Sequence, residues 1–260
     1  MTDEAVTAGA LEGRRALVTG AGSGLGRSIA CELARHGAET ILVGRTRSTL
    51  EAVAAVIGPA SEVQVADVGD AAEVERLAAA LHGREPDLLV NNAGIGGPVA
   101  NLVDIEPDAW DEVFRINVRG VYLMCRAFAP AMVARGAGDI INLASVTGKR
   151  PLVGRTPYAA SKMAVIGLTA TLAFELGQSG VRVNTLSPGP VDGDRMRRNF
   201  ALESARSGIT LGAAEEDFVS RSALRRMVTE QEVADAVVAM LAFPAMTGAD
   251  IDLSAGMIAR

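Results

Sequence analysis

The chain has 260 residues and a mass of 26.9 kDa, with 49% hydrophobic and 22% charged side chains, enough for one large packed domain and too apolar for a disordered chain. A formal charge of −6 and a pI near 5.1 argue against a partner with a phosphate backbone, and 3% aromatics leave little for base-stacking or sugar-gripping surfaces. Two cysteines, Cys31 and Cys125, cannot build a disulfide framework; no basic segment followed by an apolar stretch opens the chain, and no run of about 18 apolar residues occurs, so a cytoplasmic protein that engages no membrane is expected.

Residues 1–12 mix Ala, Gly, Thr and acids without periodicity and read as a loose lead-in to a single domain over 13–260. Ala16-Leu17-Val18 is the first short apolar run, and it leads directly into Thr19-Gly20-Ala21-Gly22-Ser23-Gly24-Leu25-Gly26. Behind this turn Leu25, Ile29 and Leu33 repeat every four residues, which predicts a helix that Gly37 stops. Glycines between a strand and a helix let the backbone approach a pyrophosphate, while the helix N-terminus offers free N–H groups. The bland alternative is a tight strand-to-helix turn that binds nothing.

Ile41-Leu42-Val43 forms the second strand and ends at Gly44-Arg45, with Arg47 close behind. An acid at this point would bind the 2′-hydroxyl of an NAD ribose; its absence, with a guanidinium in its place, favours the 2′-phosphate of NADP(H). The alternative is a solvated arginine at a strand end, with NAD(H) as the cofactor. Val63-Gln64-Val65 and Leu88-Leu89-Val90 continue the series of strands; Pro107 opens a helix near Asp108, and Ile140-Ile141-Asn142-Leu143 forms the next strand.

Tyr158-Ala159-Ala160-Ser161-Lys162 follows. Lysine occurs only at 149 and 162 and tyrosine only at 122 and 158, so this pair is unusual for the chain. A spacing of four places the phenol and the ammonium on one helical face, where the positive charge favours phenolate. Ser145, just past the preceding strand, could hold a substrate oxygen beside the phenol. Val181-Arg182-Val183 and Ile251-Asp252-Leu253 complete the strands, and Thr229 with Glu232 makes a capping box ahead of Val233-Val237-Val238-Leu241. Strand and helix in alternation, with near-continuous apolar strands, predict an α/β fold with a parallel sheet covered on both faces. The stretch 193–222 is polar, lacks strand character and reads as an insertion over one end of the sheet.

These residues resemble the short-chain dehydrogenase/reductase family from about Arg14 to Gly256. The cofactor motif TGxxxGxG matches Thr19, Gly20, Gly24 and Gly26; the adenine-contacting acid matches Asp67 in Val65-Ala66-Asp67-Val68; the NNAG motif stands as Asn91-Asn92-Ala93-Gly94. The family's catalytic asparagine, serine, tyrosine and lysine match Asn117, Ser145, Tyr158 and Lys162. The resemblance implies a single Rossmann-like domain, a doubly wound and mostly parallel seven-stranded sheet, assembled as a homotetramer or homodimer. It implies hydride transfer between a nicotinamide and an alcohol or carbonyl carbon, with Tyr158 exchanging the hydroxyl proton, Ser145 holding the substrate oxygen, Lys162 tuning Tyr158 and holding the ribose, and Asn117 supporting a water.

The cofactor-binding set implied in this way is Gly20, Ser23, Gly24, Leu25, Gly26, Arg45, Asp67, Val68, Asn92, Ala93, Gly94, Tyr158, Lys162, Pro188, Gly189 and Val191. Two departures stand out. After Pro188-Gly189 the stretch Pro190-Val191-Asp192-Gly193-Asp194 lacks the family's threonine, and Ser23 stands where some NADP-dependent relatives carry a basic residue. Substrate choice is expected to lie after Ser145, in the loop after Pro188 and in the insertion 193–222, with Val146, Arg155 and Arg195 as candidate contacts and no metal involved. Arg150, Arg155, Arg195, Arg197 and Arg198 raise the possibility of an anionic substrate, against the alternative that they face solvent or pair with Glu203, Glu215 and Glu216.

Competing readings are an NAD-dependent catabolic alcohol dehydrogenase, a non-catalytic nucleotide sensor, which would be expected to lack the Tyr or Lys, and an epimerase, which would need a different glycine spacing and a larger C-terminal region. A histidine-based hydrolase is disfavoured because His36 and His82, the only histidines, accompany no nucleophile.

Overall fold

The computed structural model describes residues 9–258, apart from the side chain of Arg195. Seven parallel strands form one sheet: β1 (Arg15–Thr19), β2 (Glu39–Gly44), β3 (Ser61–Val65), β4 (Leu88–Asn91), β5 (Gly138–Leu143), β6 (Val181–Pro188) and, last in the chain, β9 (Asp250–Leu253). Their order is β3-β2-β1-β4-β5-β6-β9. The register runs Leu17 against Ile41, Leu17 against Leu89, and Ile140 against Val183. All seven apolar runs seen in the sequence are strands of this sheet.

Parallel strands need crossover helices, so both faces of the sheet are covered and the central strands lose the polar-apolar alternation of a half-exposed sheet. Odd-numbered side chains such as Leu17, Ile41 and Leu89 pack on one side with α3 (Ala71–Ala80), α5 (Gly120–Arg135) and α6 (Thr156–Gly177). Their even-numbered neighbours Val18, Leu42 and Val90 pack on the other with α1 (Gly24–Arg35), α2 (Arg47–Ile57) and α9 (Glu230–Leu241). Each such buried side chain contributes about 1.5–3 kcal/mol. The edge strands β3 and β9 are only half-buried, as the ends of an open sheet must be.

The helix expected near Asp108 is α4 (Pro107–Phe114), which runs without a break through a π-helical turn, Arg115–Arg119, into α5. π turns widen a helix by one residue and re-aim side chains, and this one carries Asn117. α6 is long and apolar enough by composition to cross a bilayer, but it lies along β5 and β6 with Ser161, Lys162 and Thr169 buried.

Two details depart from the sequence reading. Leu11, inside the stretch read as loose, is buried against the α1 side of the core, and its amide donates to the His36 carbonyl at 2.9 Å. The polar stretch after Gly193 is helical: α7 (Asp194–Ser207) and α8 (Leu211–Val219) close a small core of Met196, Phe200 and Ala214. A two-residue parallel ribbon, β7 (Val191–Asp192) with β8 (Val228–Thr229), joins the ends of this excursion.

Candidate active site

Strand order reverses between β1 and β4, so the chain diverges beyond their C-terminal ends and leaves a crevice there. A cavity of about 1480 Å³ occupies that crevice. Its lining includes Gly20, Ser23, Gly24, Leu25, Gly26, Arg45, Asp67, Val68, Asn92, Ala93, Gly94, Pro188, Gly189 and Val191, together with Ser145, Val146, Arg155, Tyr158 and Lys162. Every sequence-derived site residue with a described side chain is thus in one place, except Asn117. Arg195 lies outside the residues whose side chains are described.

The glycine loop is shaped by close backbone approach. Gly20 has φ +67, and a Cβ on Gly26 would lie 2.1 Å from the Gly20 carbonyl oxygen, so neither position tolerates a side chain. Thr19 Oγ1 accepts from the amides of Asn92 and Ala93, each at 3.0 Å, and Asn92 Nδ2 returns a bond to the Thr19 carbonyl at 2.9 Å. Asn92 therefore clamps the loop after β4 to the loop after β1. Below it Asn91 Nδ2 donates to Asn142 Oδ1, and Asn142 Nδ2 to Thr169 Oγ1, both at 2.9 Å, extending the polar tie across β5 to α6.

α1 begins at Ser23, whose side chain makes no capping bond, and its first turn carries no acid. α3, by contrast, is capped by Asp70, and α9 by the reciprocal Thr229–Glu232 box anticipated from sequence. A glycine cradle that a Cβ would fill, under a helix N-terminus without a side-chain acceptor, fits the diphosphate of a dinucleotide.

Farther along the cavity wall Asp67 Oδ1 accepts from the Gly69 amide at 2.9 Å and Oδ2 from Arg115 at 3.0 Å. Burial pushes the Asp67 carboxyl up, but the bonds from Arg115 and Gly69 outweigh it and hold it below the usual carboxylate range, with a further lowering from Arg45. Arg115, two residues ahead of Asn117, was not singled out in the sequence; its role as the anchor of Asp67 depends on a contact 48 positions away.

At the other end Lys162, 4% exposed, donates to the Leu143 carbonyl at 2.6 Å, and its Nζ lies 5.9 Å from the Tyr158 ring centroid. Ser145 is buried and caps the 3₁₀ turn Val146–Gly148 by accepting from the Thr147 amide at 3.2 Å. Asn117 stands behind the cavity wall. Its Oδ1 accepts from the Ile95 amide at 2.8 Å, and its Nδ2 donates to the Ile95 carbonyl and to Ser161 Oγ, both at 3.0 Å. Ser161 Oγ in turn donates to the Tyr158 carbonyl at 2.8 Å. A Cβ on Gly94 would lie 3.1 Å from Asn117 Oδ1 and 3.6 Å from Lys162 Nζ, so both residues border the same small backbone site.

The loop after Ser145 is strapped down by Lys149. Its Nζ donates to Asp250 Oδ2 at 2.7 Å and also pairs with Asp252, both on β9, while Ser187 Oγ donates to Asp250 Oδ1 at 2.7 Å. Ser187 directly precedes Pro188-Gly189, so one cluster links the loop after Ser145 to the loop after β6. The arginines of 193–222 pair differently from the sequence expectation: Arg197 with Asp192 and Asp194, and Glu203 with Arg206.

A family model described as short chain dehydrogenase matches residues 14–204. The chain belongs to the short chain dehydrogenase family. As in that family, the protein is an NAD(P)-dependent oxidoreductase acting on CH–OH groups. Among curated members it is 41% identical over 189 residues to sorbitol dehydrogenase of Cereibacter sphaeroides, covering 71% of this chain and 73% of that one. It is 36% identical over 255 residues to galactitol 2-dehydrogenase of Rhizobium johnstonii, covering 95% of each. Among solved structures of short chain dehydrogenases, an actinorhodin polyketide ketoreductase with NADPH superposes with a TM-score of 0.89 at 31% identity, covering 94% of this chain and 97% of that one.

Proposed function

We propose that this short chain dehydrogenase transfers hydride between NADP(H) and an alcohol or carbonyl substrate, with Tyr158 as the general acid/base. The observation that carries the reading is the single cavity shared by the glycine cradle and by Ser145, Tyr158 and Lys162. When bound, the nicotinamide supplies the hydride. Gly20, Gly24 and Gly26 with the α1 N-terminus hold the diphosphate, Asp67 and Val68 the adenine, and Pro188, Gly189 and Val191 the nicotinamide side. Arg45 takes the 2′-phosphate, a reading supported by its place in the lining of the same cavity as the glycine loop and Asp67.

In the reductive direction Tyr158 passes its phenolic proton to the nascent alkoxide, Ser145 holds that oxygen, and the Lys162 ammonium favours the phenolate left behind. Asn117, fixed to Ile95 and Ser161, keeps the backbone beside Gly94 in place and supports the water through which the proton is replaced. α7 and α8 cover the substrate end. A homotetramer or homodimer completes the proposal, supported by the exposed apolar side chains of Tyr122 on α5 and of Met163 and Phe174 on α6.

The NAD-dependent alternative, catabolic oxidation of an alcohol, is favoured by the relatives named for sorbitol and galactitol. The test is steady-state reduction of simple diketones with NADPH and with NADH, in wild type and Y158F. NADPH-driven turnover that Y158F abolishes supports the proposal, and undiminished turnover in Y158F would refute Tyr158 as the acid.

A further inference from the structure

The acids on the cavity wall are Asp67, Asp192, Asp194, Glu203, Asp217 and Glu230. All but one are neutralised by arginines: Asp67 by Arg115, Asp192 and Asp194 by Arg197, Glu203 by Arg206, and Asp217 by Arg221. Glu230, the first residue of α9, is the exception and makes no ion pair among the described residues. Its Oε2 accepts from Ser28 Oγ at 3.1 Å, a neutral donor that leaves the charge in place.

The other oxygen faces the glycine cradle. A Cβ on Gly24 would lie 3.5 Å from Glu230 Oε1, and one on Gly193 would lie 2.9 Å from it. Oε1 therefore stands between the first residue of α1 and the residue that precedes α7. α1 has no side-chain cap and no acid in its own first turn, so the acid at its positive end comes from another helix, 202 positions beyond Ser28. Free N–H groups and the helix dipole make this end attractive to any anion. Glu230 and a dinucleotide diphosphate draw on the same positive end, and two anions sharing it repel each other.

We infer that Glu230 sets how loosely the dinucleotide is held: its carboxylate opposes the diphosphate at the α1 N-terminus, weakens cofactor binding and speeds cofactor release. The inference rests on the NAD(P)-dependent reading above and adds to it a residue that governs cofactor exchange. Glu230 acts on affinity and release, not on the transfer of hydride.

The test is fluorescence titration of NADPH and NADH, with release followed by stopped-flow chase, in wild type, E230Q and E230A. Glutamine keeps the size of the side chain and an oxygen for Ser28 but removes the charge. E230Q should hold the nucleotide at least about threefold more tightly, the scale of one unit charge acting across a partly solvated gap, and the gain should appear as slower release. Raising the salt from about 0.05 to 0.5 M should shrink the gain, because screening weakens the repulsion in wild type. E230A, which also loses the Ser28 bond, repeats the measurement if E230Q fails to fold. A carboxylate that merely braced the two loops would give the opposite sign, so unchanged or weaker binding in the variants overturns the inference and leaves the oxidoreductase reading standing. Failure of wild type and variants alike to bind either nucleotide would overturn both.

Discussion

The Lys162 ammonium is bonded to the Leu143 carbonyl, the last residue of β5 and two residues ahead of Ser145. Lys162, one turn beyond Tyr158 on α6, is thus fixed to the strand that leads into Ser145 by a bond from its side chain to the β5 main chain. Y158F should lower kcat by about 10²- to 10⁴-fold, the usual loss of a general acid/base, and leave NADPH affinity within about threefold. K162M should lower kcat similarly and weaken NADPH as well, because Lys162 also borders Gly94. Stopped-flow turnover and fluorescence titration separate the two effects; equal losses of affinity in both variants would contradict them.

Lys149 holds two β9 carboxylates in a cluster that is largely shielded from water. Removing the cation leaves both acids without it, and breaking such a pair costs about 3–5 kcal/mol when fully buried, less here because the carboxylates are about a fifth exposed. K149M should therefore lower the urea midpoint clearly, and D250N/D252N in the same background should restore part of it. K149R should keep most of the stability. A K149M protein as stable as wild type would show that the strap contributes nothing.

The α9 cap gives a pH dependence. Arg226 and the Thr229 amide hold the Glu232 carboxyl down at about 2. A carboxylate with a depressed folded pKa stabilises the fold above its unfolded value near 4.3, and that contribution is lost as pH falls through the folded value. E232Q should thus cost about 0.5–1 kcal/mol at pH 7, a modest figure because the pair is solvent-screened. The difference from wild type should shrink between about pH 4.5 and 2. Denaturant melts of both proteins across that range check it, and a constant difference would refute the linkage.

The sheet was legible because parallel strands buried on both faces leave short unbroken apolar runs, as at Ala16-Leu17-Val18 and Leu88-Leu89-Val90. The glycine loop and the Tyr158–Lys162 pair were legible because their chemistry depends on local spacing. What sequence could not reveal is what depends on distant partners. Lys149 meets Asp250 from 101 positions away, and Arg115 meets Asp67 from 48. β7 and β8 have two residues each and no periodicity to detect. Leu11 has no apolar partner nearby in sequence and is buried only because the turn at residues 9–13 folds onto the end of α1.

The central claim, a dinucleotide cradle tuned to NADP(H), is tested most directly by equilibrium affinities for NADPH and NADH measured side by side in one buffer, for wild type and R45A. The account predicts NADPH at least about tenfold tighter than NADH in wild type, roughly 1.4 kcal/mol, and loss of that ratio in R45A with NADH affinity little changed. A wild-type preference for NADH, or binding of neither nucleotide, would contradict it.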